Sequence, residues 1–245
     1  MVVACGPSTT TVAQGQQPTG YVVVDEFDHD PEAFTQGLDF KGESLFESTG
    51  LNGQSTLRKV DLESGRVLRQ IDVADRHFAE GITVLGKRIF QITWKSEVAF
   101  VYRPSTFKRI DRFPYKGEGW GLTHDGEHLI MSDGSSIIRF RDPKTFKVVR
   151  RLPVTDGGQP VEQLNELEWI DGEIFANVWQ TADVVRIDPS TGEVTGRLDL
   201  GPLWEMEKAE GEPDVPNGIA YLTGQDRLFV TGKNWAHLYE IRLTD

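Results

Sequence analysis

Apolar and polar positions along this chain form a pattern that repeats five times. The runs TQGLDF (35–40), AEGITV (79–84), GWGLTH (119–124), LNELEW (164–169) and PNGIAY (216–221) align without gaps. After a short glycine-containing turn each is followed by a second apolar run: SLFES (44–48), RIFQI (88–92), HLIMS (128–132), EIFAN (173–177) and RLFVT (227–231). A third run comes next, STLRKVD (55–61), EVAFVY (97–102), SIIRF (136–140), DVVRI (183–187) and HLYEI (237–241). Four of these lead through Pro-, Gly- and Ser-rich turns into a fourth run: RVLRQIDV (66–73), KRIDRF (108–113), KVVRRL (147–152) and EVTGRLDL (193–200). The fourth runs alternate apolar and charged residues, as half-buried or edge strands do.

Four short strands per unit, repeated every 40–52 residues, predict an all-β fold, a five-bladed β-propeller. The fifth unit ends at Asp245 without its fourth strand, while a spare strand, YVVVDEF (21–27), precedes the first unit. The N-terminal strand is therefore expected to complete the last blade, closing the ring and hiding an open edge. One domain is expected over residues 21–245, with residues 1–20 as a flexible leader.

The repeat also locates candidate chemistry. In an antiparallel hairpin, the residue before strand one and the residue after strand two lie at the same end. The first position holds Gln36, Glu80, Trp120, Asn165 and Asn217; the second holds Gly50, Trp94, Gly134, Trp179 and Lys233. Strand one of a propeller blade lines the axis, so these ten residues should converge on one mouth of the central channel. A structural column keeps similar residues, as the Gly37, Gly81, Gly121 and Gly218 column nearly does. These two columns instead carry a carboxylate, amides, indoles and an ammonium, and Phe34 and Phe78 sit two residues ahead of Gln36 and Glu80. Aromatic walls with a few convergent polar groups describe a small-ligand pocket. The interblade loops, including the acidic stretch Glu205 to Asp214, are expected to rim it. Trp169, Trp204 and Trp235 read as packing residues, and the five histidines show no ligand spacing.

A net charge of −12 argues against nucleic acid and anionic membranes as partners. No apolar run approaches the ~18 residues that span a bilayer. The single cysteine, Cys5, allows no intrachain disulfide. Its context, VVAC followed by Gly6 and a Ser/Thr/Gln/Pro/Gly tract, is similar to a lipoprotein processing site with a tether. An exported protein is the expectation, beside the plainer reading of a leader with a chance cysteine.

The motifs FTQGL (34–38), FAEGIT (78–83), ITWK (92–95), EGWGLT (118–123), SDGSS (132–136), LNELEWI (164–170), NVW (177–179), NGIAY (217–221) and TGKNW (231–235) occur in one order. In this the chain resembles the plant-type glutaminyl cyclases (glutaminyl-peptide cyclotransferases), five-bladed propellers also found in bacteria. The resemblance runs from about residue 21 to the C-terminus, with departures in the leader and the 201–216 loop. It implies conversion of an N-terminal glutamine of peptides or proteins into pyroglutamate with release of ammonia, without metal or other cofactor. It also implies pocket residues at Phe34, Gln36, Phe78, Glu80, Trp94, Trp120, Asn165, Trp179 and Lys233, and a monomer is expected.

The residues suit that chemistry. The reaction is intramolecular, so no protein nucleophile is needed. Glu80 is the only acid among the ten positions and the candidate general acid/base. Gln36, Asn165 and Lys233 are candidate polarising groups, and the Trp and Phe residues the box. Two other readings stay open on the same residues. One is a calcium-dependent ring hydrolase using the oxygens of Gln36, Glu80, Asn165 and Asn217; the other is a non-catalytic peptide-binding propeller.

Overall fold

Strands form where the apolar runs lie, and their edges follow the turn residues. The computed structural model describes residues 19–244; the leader and its Cys5 fall outside them, apart from Thr19 and Gly20. The chain starts with β1 (Gly20–Asp28) and enters blade one, β2 (Thr35–Lys41), β3 (Ser44–Thr49), β4 (Thr56–Val60) and β5 (Val67–Asp72). Blade two is β6 (Ala79–Leu85), β7 (Arg88–Thr93), β8 (Val98–Tyr102) and β9 (Arg109–Pro114). Blade three is β10 (Leu122–His124), β11 (Leu129–Met131), β12 (Ile137–Arg141) and β13 (Val148–Pro153). A small hairpin, β14 (Thr155–Asp156) and β15 (Gln159–Pro160), precedes blade four: β16 (Leu164–Ile170), β17 (Glu173–Val178), β18 (Asp183–Ile187) and β19 (Val194–Asp199). Helix α1 (Gly201–Glu210) then leads into β20 (Pro216–Leu222), β21 (Arg227–Gly232) and β22 (His237–Thr244).

Each blade is a four-stranded antiparallel sheet in chain order, and the fifth is β20-β21-β22-β1. β1 pairs with β22 from Gly20 opposite Thr244 to Asp28 opposite His237. The expected closure by the N-terminal strand is therefore what forms, one residue longer at each end.

The ring shape follows from which faces are apolar. Five buried clusters fill the chain, one between each pair of neighbouring blades. Successive side chains of a strand point to opposite faces, and the second strand of each blade serves both neighbours. Ile89 packs towards blade one and Phe90 towards blade three; Ile174 and Phe175 divide between blades three and five. This is why those strands are buried along nearly their whole length and do not alternate. The outermost strands β5, β9 and β13 are largely exposed, and they carry Arg and Asp residues.

The segment between β1 and β2 locks the ring. His29 donates its backbone N–H to Ala236 O at 2.7 Å, and its ring bonds Trp235 O at 2.8 Å and Glu47 Oε1 at 3.1 Å. Thr35 donates to the same Glu47 oxygen at 2.8 Å, and Arg58 pairs with Asp30 at 2.7 Å. Burial alone would lift Glu47, but His29, Arg58 and Thr35 hold its carboxyl below the ordinary range. Burial alone would lower His29; the Glu47 charge outweighs it and leaves His29 raised.

One expectation is corrected. The 201–216 stretch is not an open loop along its length, because residues 201–210 form α1. The helix carries no apolar stripe that could announce it: its buried residues are Leu203 and Glu207. Instead, a buried acid fastens it to blade five. Glu207 accepts from Ala236 N at 2.7 Å and Tyr239 OH at 2.7 Å, and bonds His237 Nδ1 at 2.9 Å. Pro202 sits at the helix start, where its missing N–H leaves no intrahelical bond unmade.

Candidate active site

The two residue columns meet because the hairpins bring them together. Gly50 N–H donates to Phe34 O, Trp94 N–H to Phe78 O, Trp179 N–H to Gln163 O and Lys233 N–H to Val215 O, at 2.8–3.1 Å. A second feature aims the first column. In the blades of Gln36, Glu80, Asn165 and Asn217, the ladder slips by one residue at that point. A bulge turns the extra side chain out of the pleat. The repeated sequence gave no sign of this register slip, and it places these residues inside strand one and not ahead of it.

The result is a cavity of about 520 Å³ lined by Phe34, Gln36, Phe78, Glu80, Trp94, Trp120, Asn165, Trp179 and Lys233, with Gln180, Asp214 and Val215. All nine residues that the resemblance implies for the pocket lie on its wall. Of the two columns, Gly50 and Gly134 do not line it, and neither does Asn217, which is fully buried beneath it. Its Nδ2 donates to Thr35 O at 2.9 Å and to Gln36 Oε1 at 3.2 Å. Asn217 is thus a support for Gln36 and does not line the site. Because Gln36 Oε1 is taken, the Gln36 amide turns its NH2 donors to the cavity.

The two glycines of the second column have a steric reason. A Cβ on Gly50 would lie 2.4 Å from the Phe78 ring, and one on Gly134 would lie 2.6 Å from Trp120. Each gives up its side chain so that an aromatic ring can lie across it. Phe34 and Phe78 meet edge to face at 6.1 Å, Phe78 and Trp94 at 5.6 Å, and Trp120 and Trp179 at 5.4 Å. Such pairs favour offset or edge contacts and hold each other's orientation.

Asn165 is fixed through its backbone. Ser132 Oγ donates to Asn165 O at 2.6 Å and accepts from Gly121 N at 2.7 Å. Gly121 is obligatory there, since a Cβ would sit 2.0 Å from Asn165 O. The Asn165 Oδ1 atom is buried with no hydrogen-bond partner in the protein.

Glu80 is 4 % exposed and Lys233 is 4 % exposed, both buried in the aromatic surround. Burial pushes the Glu80 carboxyl well above the ordinary range; Lys233 pulls it back in part, and Glu118 pushes it further up. Burial lowers the Lys233 ammonium, opposed by Glu80 and Asp214. The Lys233 Nζ lies 4.8 Å from the Phe34 ring centre. Acid and base are thus both driven towards their neutral forms.

Sequence reasoning missed Glu118, Gln180 and Val215, and it treated Asp214 only as rim. The signal existed: two residues ahead of the first column stand Phe34, Phe78, Glu118, Gln163 and Val215, of which only the phenylalanines drew notice. Deeper in the channel lie Asp39, Glu166 and Glu168, all buried and all raised by that burial. Glu166 accepts from Ile219 N at 2.9 Å and Glu168 from Tyr221 N at 2.9 Å, tying blade four to blade five. Among the described residues, no group of three or more His, Cys, Asp or Glu is disposed to hold a metal ion.

Fold and site together define a five-bladed propeller with an aromatic, acid-bearing pocket at one mouth of its axis. Residues 1–243 match the family model described as glutamine cyclotransferase. A glutaminyl-peptide cyclotransferase of Arabidopsis thaliana is 44 % identical over 225 residues, 90 % of this chain and 70 % of that protein. The crystal structure of Myxococcus xanthus glutaminyl cyclase superposes with a TM-score of 0.88 at 38 % identity, covering 94 % of this chain and all of that one. A WD40 propeller domain of Doa1, at 11 % identity and a TM-score of 0.51, shares the fold alone over 84 % of this chain and 62 % of its own. The chain belongs to the glutamine cyclotransferase family.

Proposed function

We propose that this protein is a glutaminyl-peptide cyclotransferase that closes the N-terminal glutamine of peptides or proteins into pyroglutamate and releases ammonia. The observation that carries this reading is a buried carboxyl, Glu80, whose burial outweighs the pull of Lys233, at an aromatic cavity that also presents amide donors.

In the reaction, the substrate's α-amine nitrogen bonds to its own γ-carboxamide carbon, and the bond from that carbon to the amide nitrogen breaks. The indole and phenyl walls hold the side chain folded back on the amine, so proximity supplies much of the rate. The amine, with a pKa near ~7.7–8, must give up a proton, and the departing nitrogen must gain one. Glu80 takes the first proton and returns it to the leaving nitrogen. Its raised affinity for protons brings it nearer the amine's range, where transfer in both directions is efficient. Gln36 NH2 and Lys233 are the donors for the oxyanion that develops on the carboxamide oxygen. The unpartnered Asn165 Oδ1 accepts a hydrogen bond from the substrate amine or carboxamide.

The test is incubation with a glutamine-first dipeptide, following ammonia and the mass of the product, with and without chelator. Cyclisation that persists in chelator supports the metal-independent reading. Chelator-sensitive turnover would favour a cation, and binding without ammonia release would favour a peptide-binding propeller. Export rests on the residues around Cys5, and the monomer stands as an expectation. Fatty-acid labelling that disappears in Cys5→Ser, and light scattering, test these two points.

A further inference from the structure

The aromatic wall consists of two runs of touching rings, Phe34–Phe78–Trp94 and Trp120–Trp179. No ring contact joins Trp94 to Trp120 among the described residues. What lies between them is Glu118. Its Oε2 accepts the indole N–H of Trp94 at 2.7 Å and that of Trp120 at 3.0 Å. Its Oε1 lies 3.6 Å from Lys95 Nζ, which in turn sits 3.8 Å from the Trp94 ring centre on the outer side.

We propose that Glu118 is the positioning residue of the glutamine box, its one oxygen clamping two indoles from separate runs into a single wall of fixed shape. The argument is geometric. An indole has one donor and no acceptor, so a bond to its N–H adds a directional constraint to whatever its ring packing already fixes. Bonds from N–H groups to an ionised acceptor are the strong ones, and two converging on one oxygen fix both planes relative to each other. Lys95, itself largely exposed, adds a weak surface ion pair to the second oxygen. Trp94 comes from the end of the blade-two hairpin and Trp120 from the entry to blade three, so the clamp also sets the spacing of two blades at the mouth. The charge of Glu118 reaches Glu80 as well, keeping that carboxyl more protonated. The inference rests on the cyclase reading, because shape selection of a folded glutamine is what a fixed wall serves.

The experiment compares wild type, Glu118→Leu and Glu118→Gln on a glutamine-first dipeptide, with near-ultraviolet circular dichroism of each. Glu118→Leu, close in size but with no acceptor, is expected to raise KM about tenfold, the weight of a charge-assisted bond, with a smaller change in kcat. Its indole dichroism should fall. Glu118→Gln keeps an acceptor and should restore the dichroism and most of the KM, while the limb of the pH–rate profile set by Glu80 moves to lower pH. A variant-free readout is exchange of the indole N–H protons in wild type, where Trp94 and Trp120 should be protected from solvent. Unchanged KM and dichroism in Glu118→Leu, or free exchange at both indoles, would overturn the clamp. Absence of cyclisation by wild type would instead strike the cyclase reading, and the two failures are distinct.

Discussion

Glu47 and Glu80 are the same residue type at similar depth, 1 % and 4 % exposed, in neighbouring blades, yet their environments act in opposite directions. Glu47 receives His29, Thr35 and Arg58 and is held below the ordinary range. Glu80 faces a cavity, where burial outweighs the opposing charge of Lys233, and is pushed well above it. A satisfied buried acid fastens structure. A starved one stores proton affinity that chemistry can use.

The largest expected effect breaks the catalytic side of this contrast. Glu80→Gln should lower kcat by about 10²–10⁴, the weight of one proton shuttle, without loss of melting temperature. Ammonia release and a thermal melt measure both, and near-normal kcat would remove Glu80 from the mechanism. The structural side breaks next. Glu47→Gln leaves His29 and Arg58 facing an uncharged amide, so unfolding should become easier by about 3–5 kcal/mol, the cost of orphaning a buried pair. Urea denaturation reads this, and the turnover per folded molecule should hold.

A third expectation concerns pH and the ring lock. Glu47, lowered on folding, contributes fully above its ordinary value of 4.5 and loses its contribution as pH falls through the lowered one. His29, raised on folding, contributes fully below 6.5 and fades as pH rises through its raised value. Stability from this pair should therefore be greatest between pH 4.5 and 6.5. In His29→Gln the alkaline decline should flatten, and an unaltered curve would dismiss the lock. The smallest effect sharpens the cavity side. Gly50→Ala meets the Phe78 ring and should raise KM a few-fold with kcat nearly kept, which steady-state kinetics on the dipeptide would detect.

Much of this was legible in the chain. Five repeats of short strands, the ring closed by the N-terminal strand and the two columns of unlike residues can be read from spacing. Period-two pleating and hairpin geometry leave little freedom once the runs are aligned. Gln36, Glu80, Asn165 and Lys233 stood out because a repeat makes departures visible. What the chain did not reveal depends on contacts between distant residues. Helix α1 is fastened by Glu207 to residues some thirty positions away, not by an apolar stripe of its own. Asn217 looked like a wall residue until folding set it under Gln36. Glu118 was only one letter of the motif EGWGLT until Trp94 and Trp120 met at its oxygen. Local pattern decides which elements form. Only the packed ring decides which buried groups find partners, and that division separates the residues that hold this protein together from those left to act.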